Sequence, residues 1–334
     1  MKFLLVLTLM SLAEFDYQRG GAHSCPDLCS CSFSPSGAEV VCSHNSLRHF
    51  PVTGLPSNTS RLSIQSTNFS SITVSNLRVV PLLNYLQLYH TNLENLPSEL
   101  LGVVPHLNTL DLTGNQLTDL PGNFFSHTSL RSLVMKNNQF EKADTAWFPD
   151  NSSLTWLDLS GNSLTCIPAT LLQRLPHLQN LDLSDNNLQD LHADTLKNLR
   201  HLETLNLAGN KLISLPPTTF AHNLKLKQLF LQENQLEELP ATLLQDQQHL
   251  ELLLLNQNQL RHLPTGLLDG KKPSFQMIIT GNPWECDVKI EYLWRWLTVH
   301  PQNVLFLQDV TCVGPKTLEH QPVVSLTESL LSIK

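Results

Sequence analysis

The stretch Leu154–Pro168, LTWLDLSGNSLTCIP, limits the fold more than any other feature, because its spacing recurs along most of the chain. With the variable positions left open it reads L-x-x-L-x-L-x-x-N-x-L-x-x-I-P, and Asn162 is its fixed point. The same register falls on Asn45, Thr67, Thr91, Asn115, Asn138, Asn162, Asn186, Asn210, Asn234, Asn258 and Asn282, at spacings of 22, 24, 24, 23 and then six of 24. A unit this short cannot bury its own apolar face, so it is stable only when stacked on its neighbours.

Within each unit the pattern has a mechanical reading. Leu110 and Leu112 sit two apart, as one face of a short strand requires. Leu107, Leu117 and Leu120 then close the coil over the same core. Asn115 turns the chain off the strand inside the stack, where a carboxamide can both donate and accept for buried backbone groups. The Asn column is therefore expected to be a buried hydrogen-bond ladder, with Thr67 and Thr91 doing part of the work by their hydroxyls. A period in this range with this Leu/Asn pattern predicts a leucine-rich repeat solenoid. That is an α/β fold, a curved horseshoe with a parallel β-sheet on its concave face.

The segments after each strand, such as LPSELLGVVPHL and IPATLLQRLPHL, place Pro and then an apolar pair after the closing Leu or Ile, which predicts a short turn of helix on the convex side. Glu141–Ser153 departs from this. It lacks the Leu-Pro opening and puts Trp147-Phe148 where the Leu pair stands elsewhere, so a local distortion with Trp147 in the core is expected.

The ends differ from the array. Met1, Lys2 and the apolar run Phe3–Leu12 read as a secretory signal peptide, cleaved after Ala13 or after Ala22. No later run has the length of a membrane span, and the C-terminal VVSLTESLLSIK is a poor lipid-anchor signal, so a soluble exported product is expected. The expected division is residues 1–22 leader, 23–60 N-terminal cap, 61–272 nine repeats and 273–334 C-terminal cap. Cys25, Cys29, Cys31 and Cys42 precede the repeats, and Cys286 and Cys312 follow them. In an oxidising compartment this grouping reads as disulfide staples on caps that cover the open ends of the core. The four N-terminal cysteines allow three pairings, and zinc is a lesser alternative. Cys166 is left over, either as a partly buried unpaired thiol or as the site of an intermolecular disulfide. After Asn282, Asp287 suits a helix N-cap, and Ile290, Leu293, Trp294 and Leu297 share one helical face. Trp284 and Trp296 read as cap packing. Sequons at Asn58, Asn68 and Asn151 are expected glycan sites.

The signal peptide, the cysteine cluster, the coils, the TAWF segment and the ending NPWECD…YLWRWL…TCVGP resemble one group of secreted leucine-rich repeat proteins. It includes the leucine-rich alpha-2-glycoproteins and the beta-type phospholipase inhibitors. The resemblance implies a secreted glycoprotein that binds other proteins and has no catalytic activity. It also implies an association with transforming growth factor beta signalling, or inhibition of a basic secreted phospholipase.

The residues themselves give no enzyme signature: there is no GxSxG, HExxH or phosphate-cradling glycine loop, and no cofactor or resident metal is expected. His106, His177, His201 and His249 recur just ahead of the strands, and two imidazoles on adjacent coils make a poor metal site without a third ligand. With 21 Lys and Arg against 29 Asp and Glu, the formal charge of −8 argues against nucleic acid and favours a basic partner. The outward strand positions place Asp111, Asp158, Asp182 and Asp185 around Trp156, with Tyr85 and Tyr89 on the N-terminal side and Phe230 on the C-terminal side. An aromatic anchor ringed by one sign of charge is the composition of a protein-binding hot spot. The expected function is binding a basic extracellular protein, as a growth-factor modulator, a secreted-enzyme inhibitor, or an adhesion or pattern-recognition protein. The oligomeric state is not legible.

Overall fold

The structure, a computed structural model, describes residues 24–331. The leader, Ala13 and Ala22 lie outside the described residues. A single sheet runs the length of the molecule, with its strands in sequence order. β1 (Cys29–Ser34) and β2 (Gly37–Cys42) form an antiparallel hairpin, and β2 pairs in parallel with β3 (Thr59–Gln65). The repeats then add one parallel strand each: β4 (Tyr85–Tyr89), β5 (Thr109–Asp111), β6 (Ser132–Val134), β7 (Trp156–Asp158), β8 (Asn180–Asp182), β9 (Thr204–Asn206), β10 (Gln228–Phe230), β11 (Leu252–Leu254) and β12 (Gln276–Ile278). The expected capped leucine-rich repeat solenoid is present.

The middle residue of each short strand points into the core, as Leu110, Leu157, Leu205 and Leu253 show by their near-complete burial. A core of stacked leucines then extends from Val40 to the C-terminal cap. The Asn ladder has a regular wiring. The Asn162 amide donates to Leu159 O in its own coil and to Met135 O in the preceding coil, and its Oδ1 accepts from Phe140 N. Each such carbonyl thus takes two amides, as Leu159 O does from Asn162 and Asn186, so both lone pairs are filled inside the stack.

The ladder's two ends differ. Thr91 donates its hydroxyl to Asn115 Oδ1 at 2.9 Å, as expected, but the buried Thr67 hydroxyl has no partner, and Asn45 is exposed and outside the ladder. A shorter hydroxyl cannot span the inter-coil gap that a carboxamide bridges unless the next residue reaches back to it. At the other end Asn282 is the last rung, and the Trp284 indole takes the place of the next by donating to Ile279 O at 3.2 Å. Trp284 therefore closes the ladder as well as packing the cap, which its sequence context did not reveal.

The convex side corrects the helical expectation. Only Ala169–Gln173 forms α-helix in the segments following repeat strands β5 to β11, and Leu100–Val103 after β4 is a single 3-10 turn; LPGNFFSHTSL, LHADTLKNLRHL, LPPTTFAHNLKL and LPATLLQDQQHL are turns. The apolar pairs still point inward, and in segments this short, where a first helical turn is costly, a chain of turns buries them as well as a helix does. In the departing coil Trp147 and Phe148 are buried, Trp147 Nε1 donates to Asp119 at 3.3 Å, and Phe148 stacks on Phe125 at 4.8 Å. β6 and β7 nevertheless pair in the standard register, so the distortion stays on the convex side.

Disulfides join Cys25 to Cys31, Cys29 to Cys42 and Cys286 to Cys312. Cys166 is unpaired and exposed, so the expectation of a partly buried thiol is corrected. It sits in the turn beyond the Asn, where alternate side chains face solvent. In the C-terminal cap Asp287 accepts from Lys289 N, and the helix Glu291–Val299 buries Leu293, Trp294, Trp296 and Leu297. No helix among the described residues is long and apolar enough to cross a membrane.

Candidate protein-binding face

Parallel pairing without slippage turns the outward strand positions into straight columns across the sheet. One runs Gln87, Asp111, Val134, Asp158, Asp182, Asn206, Phe230, Leu254, Ile278; the adjacent one contains Tyr85, Thr109, Ser132, Trp156 and Asn180. With about 5 Å per strand, Asp158 and Asp182 are immediate neighbours, whereas Tyr85 and Phe230 each lie about 15 Å from Trp156. The predicted residues share one face but form a strip, not a pocket.

Trp156 stands out from the sheet at 44% exposure. The three strand aspartates have a local job. Each closes the turn after its strand: Asp111 accepts from Thr113 N and Oγ1, Asp158 from Ser160 and Asp182 from Ser184. Their second oxygens differ. Gln87 donates to Asp111 Oδ2 at 2.8 Å and Asn206 to Asp182 Oδ2 at 3.0 Å, while Asp158 lies between Val134 and Asp182, neither of which carries a donor. Burial pushes the Asp158 carboxyl up, opposed by its Ser160 bonds; Asp182 raises it further and Lys136 lowers it. Lys136, exposed two positions after Val134, is a cation inside a strip that the sequence reading took as acidic throughout.

Asp185 is off the strand. It occupies the turn in a left-handed conformation at φ +53°, which Asp tolerates, and its carboxylate lies where a side chain on Gly209 would go. Gly209, itself at φ +63°, is thus required beside it. At the N-terminal end Arg61 stacks over the Tyr85 ring at 4.2 Å and meets Glu39 at 3.5 Å, and burial pushes the Tyr85 hydroxyl up. Tyr89 packs edge-on to His90. The paired histidines His177 and His201 have ring centroids 6.2 Å apart, and among the described residues no group of three or more His, Cys, Asp or Glu is placed to hold a metal ion. Asn58, Asn68 and Asn151 are all exposed, with Asn68 Oδ1 accepting from Asn92 at 3.0 Å. A groove of about 880 Å³ lies away from the strip on the loop side, between Glu237 and Glu238 and the cations Arg261 and Lys289.

The C-terminal part of the face holds, beside the predicted Phe230, residues that the sequence reading did not single out. Phe230, Leu252, Leu254 and Ile278 all point outward and are half-buried. The cap continues the column, because Val304 bridges Met277 in parallel and Leu305 N donates to Met277 O at 3.0 Å. Val304 is buried beside Met277, so by strand alternation Leu305 stands beside Ile278 on the outward side. No repeat signal marks Leu305.

This geometry is that of a leucine-rich repeat solenoid. The leucine-rich repeat family pattern matches residues 81–140, 105–164, 128–188 and 176–236. The chain is also similar to human carboxypeptidase N subunit 2, at 39% identity over 57 residues, covering 17% of this chain and 10% of that protein. It thus spans about a tenth of the length of the curated relative it matches.

Proposed function

We propose that this chain is a secreted glycoprotein without catalytic activity whose concave face binds a basic extracellular protein. The observation that carries the reading is the exposed Trp156 next to Asp158, whose second oxygen has no donor in the neighbouring strands, with Asp182 one strand further on. A large aromatic surface beside an incompletely satisfied carboxylate gains both area and a charge-assisted bond when a Lys or Arg arrives. The net charge of −8 adds long-range attraction. Three disulfides support export into an oxidising compartment, and the partial relative is by name a subunit, hence a protein that assembles with another.

Among partners, a growth factor of the transforming growth factor beta type is the leading class and a basic secreted enzyme the second, both suggested by the resemblance of the coils and caps. Pull-down from serum of the source species identifies the partner. Replacing Asp158 and Asp182 by Lys together should abolish its binding at low salt, and unchanged affinity in that variant refutes the reading.

A further inference from the structure

The concave face divides in two. From β5 to β8 its outward positions carry Asp111, Lys136, Asp158 and Asp182, whereas those of β10, β11 and β12 carry no charge at all. There Phe230, Leu252, Leu254 and Ile278 form a contiguous apolar surface, rimmed by uncharged Gln228 and Gln276. Leu305 extends it at 42% exposure. Phe306, next in the chain, is 65% exposed and held at φ +57°, a conformation strained for a bulky side chain. Packing inside this chain does not offset that strain, because most of the ring is in solvent. Strained, exposed aromatic residues beside apolar surface are characteristic of contact sites.

We propose that β10–β12 together with Val304–Phe306 form an apolar platform for a segment of the basic partner, which lays apolar side chains here and its Lys or Arg residues on the Asp158 and Asp182 strip. This rests on the concave-face reading above and specifies the chemistry of its partner. The charge complement is on the page: the platform has no charge of its own and adjoins a strip whose carboxylates can take cations. From Leu254 to Asp182 is three strands, and to Asp158 four, or about 14 and 19 Å. An extended segment rising about 3.3 Å per residue covers this in four to six residues. The recognised motif is therefore a pair of apolar side chains with Lys or Arg four to six positions away.

Random peptides of about 16 residues displayed on phage and selected on the immobilised full chain test this directly. The expected consensus carries the apolar pair and the displaced basic residue. A synthetic consensus peptide should lose at least tenfold affinity for Leu254→Glu and for Phe306→Gly. The second variant replaces an exposed side chain and relieves backbone strain, and an unchanged far-UV spectrum and melting temperature show that it is folded. Asp158→Lys with Asp182→Lys should abolish peptide binding at low salt. A basic consensus with no apolar pair, bound equally by Leu254→Glu and Phe306→Gly, overturns the platform and leaves the acidic-strip reading intact. No enrichment, an apolar consensus without Lys or Arg, or a concentration-dependent dimer that dissociates in Leu254→Glu each overturns the proposal as well.

Discussion

Replacing Asn162 by Ala separates the ladder from ordinary packing, because the structure states which groups lose their partners. Four bonds disappear: those to Met135 O at 3.0 Å, Leu159 O at 2.9 Å and Ser160 O at 3.2 Å, and the one from Phe140 N at 3.1 Å. The carbonyls keep second donors, since Asn138 still reaches Met135 O, Asn186 still reaches Leu159 O and Asn137 N still reaches Ser160 O. Only the Phe140 N–H is left with nothing, in a residue that is fully buried. An orphaned buried donor costs about 1–3 kcal/mol, and three weakened acceptors add about 0.5 kcal/mol each, so the loss should be about 3 kcal/mol.

Thr67→Val is the matched control. Its hydroxyl is buried and already unpartnered, so an isosteric methyl should leave stability unchanged or raise it by up to about 1 kcal/mol. Urea unfolding followed by far-UV circular dichroism measures both, and amide exchange at Phe140 reports the local opening. If Asn162→Ala stays within about 0.5 kcal/mol of the parent, or Thr67→Val loses as much as Asn162→Ala, the ladder does not hold the stack in the way its geometry indicates.

Three further outcomes follow from the same contacts. Trp284→Phe keeps a ring in the cap but removes the donor to Ile279 O, so unfolding free energy should drop by about 1 kcal/mol, measured by urea titration. Asp158→Asn keeps an acceptor for Ser160 and removes a carboxylate whose proton is held more tightly in the folded chain than in the unfolded one. The parent therefore loses stability as pH rises from the ordinary aspartate value through the raised folded value, and the variant should melt higher at pH 7. That advantage should vanish on acidification below the ordinary aspartate range; melting curves at both pH values check it. Cys166 should take up one equivalent of a thiol reagent in the native state, and mass spectrometry that finds no adduct before denaturation contradicts its exposure.

Much of the scaffold was legible because inward positions have little freedom. Every coil must present the same apolar profile to its neighbour, so Leu157 and Leu159 repeat as Leu181 and Leu183, and Asn162 as Asn186. The outward columns followed from the same register, which is why Trp156, Asp158 and Asp182 could be placed side by side from the sequence. Convex segments were not legible, since an apolar pair buries equally well from a turn or from one turn of helix. Nor were the second oxygens of Asp111 and Asp182, whose partners Gln87 and Asn206 lie one coil away and carry no local signal. Lys136 was visible but lies at the next outward position, two residues beyond the column residue Val134. Leu305 lay beyond reach because it joins the sheet from a cap with no period.

That last point bears on how the cap contributes to binding. Cys286 and Cys312 bracket the segment that contains Val304, Leu305 and Phe306, and closing a loop with a separation of 26 residues restricts the unfolded cap by about 3.5 kcal/mol. The bridge is therefore placed to keep the Leu305–Met277 bond formed and the outward apolar column continuous past β12. A solenoid transmits stability mainly between neighbouring units, so a cap released by removing this bridge should loosen the platform's far edge while β4–β8 remain stacked. On this reasoning the disulfide serves two ends at once. It shields the last coil's core, and it holds Leu305 beside Ile278 at the end of the outward column, with Phe306 next in the chain. The acidic strip sits on strands that only repeat–repeat stacking positions, whereas the apolar platform depends on a covalently held edge. A partner contacting both halves would register the state of that edge as a change in apolar contact area, with the charged contacts unaltered.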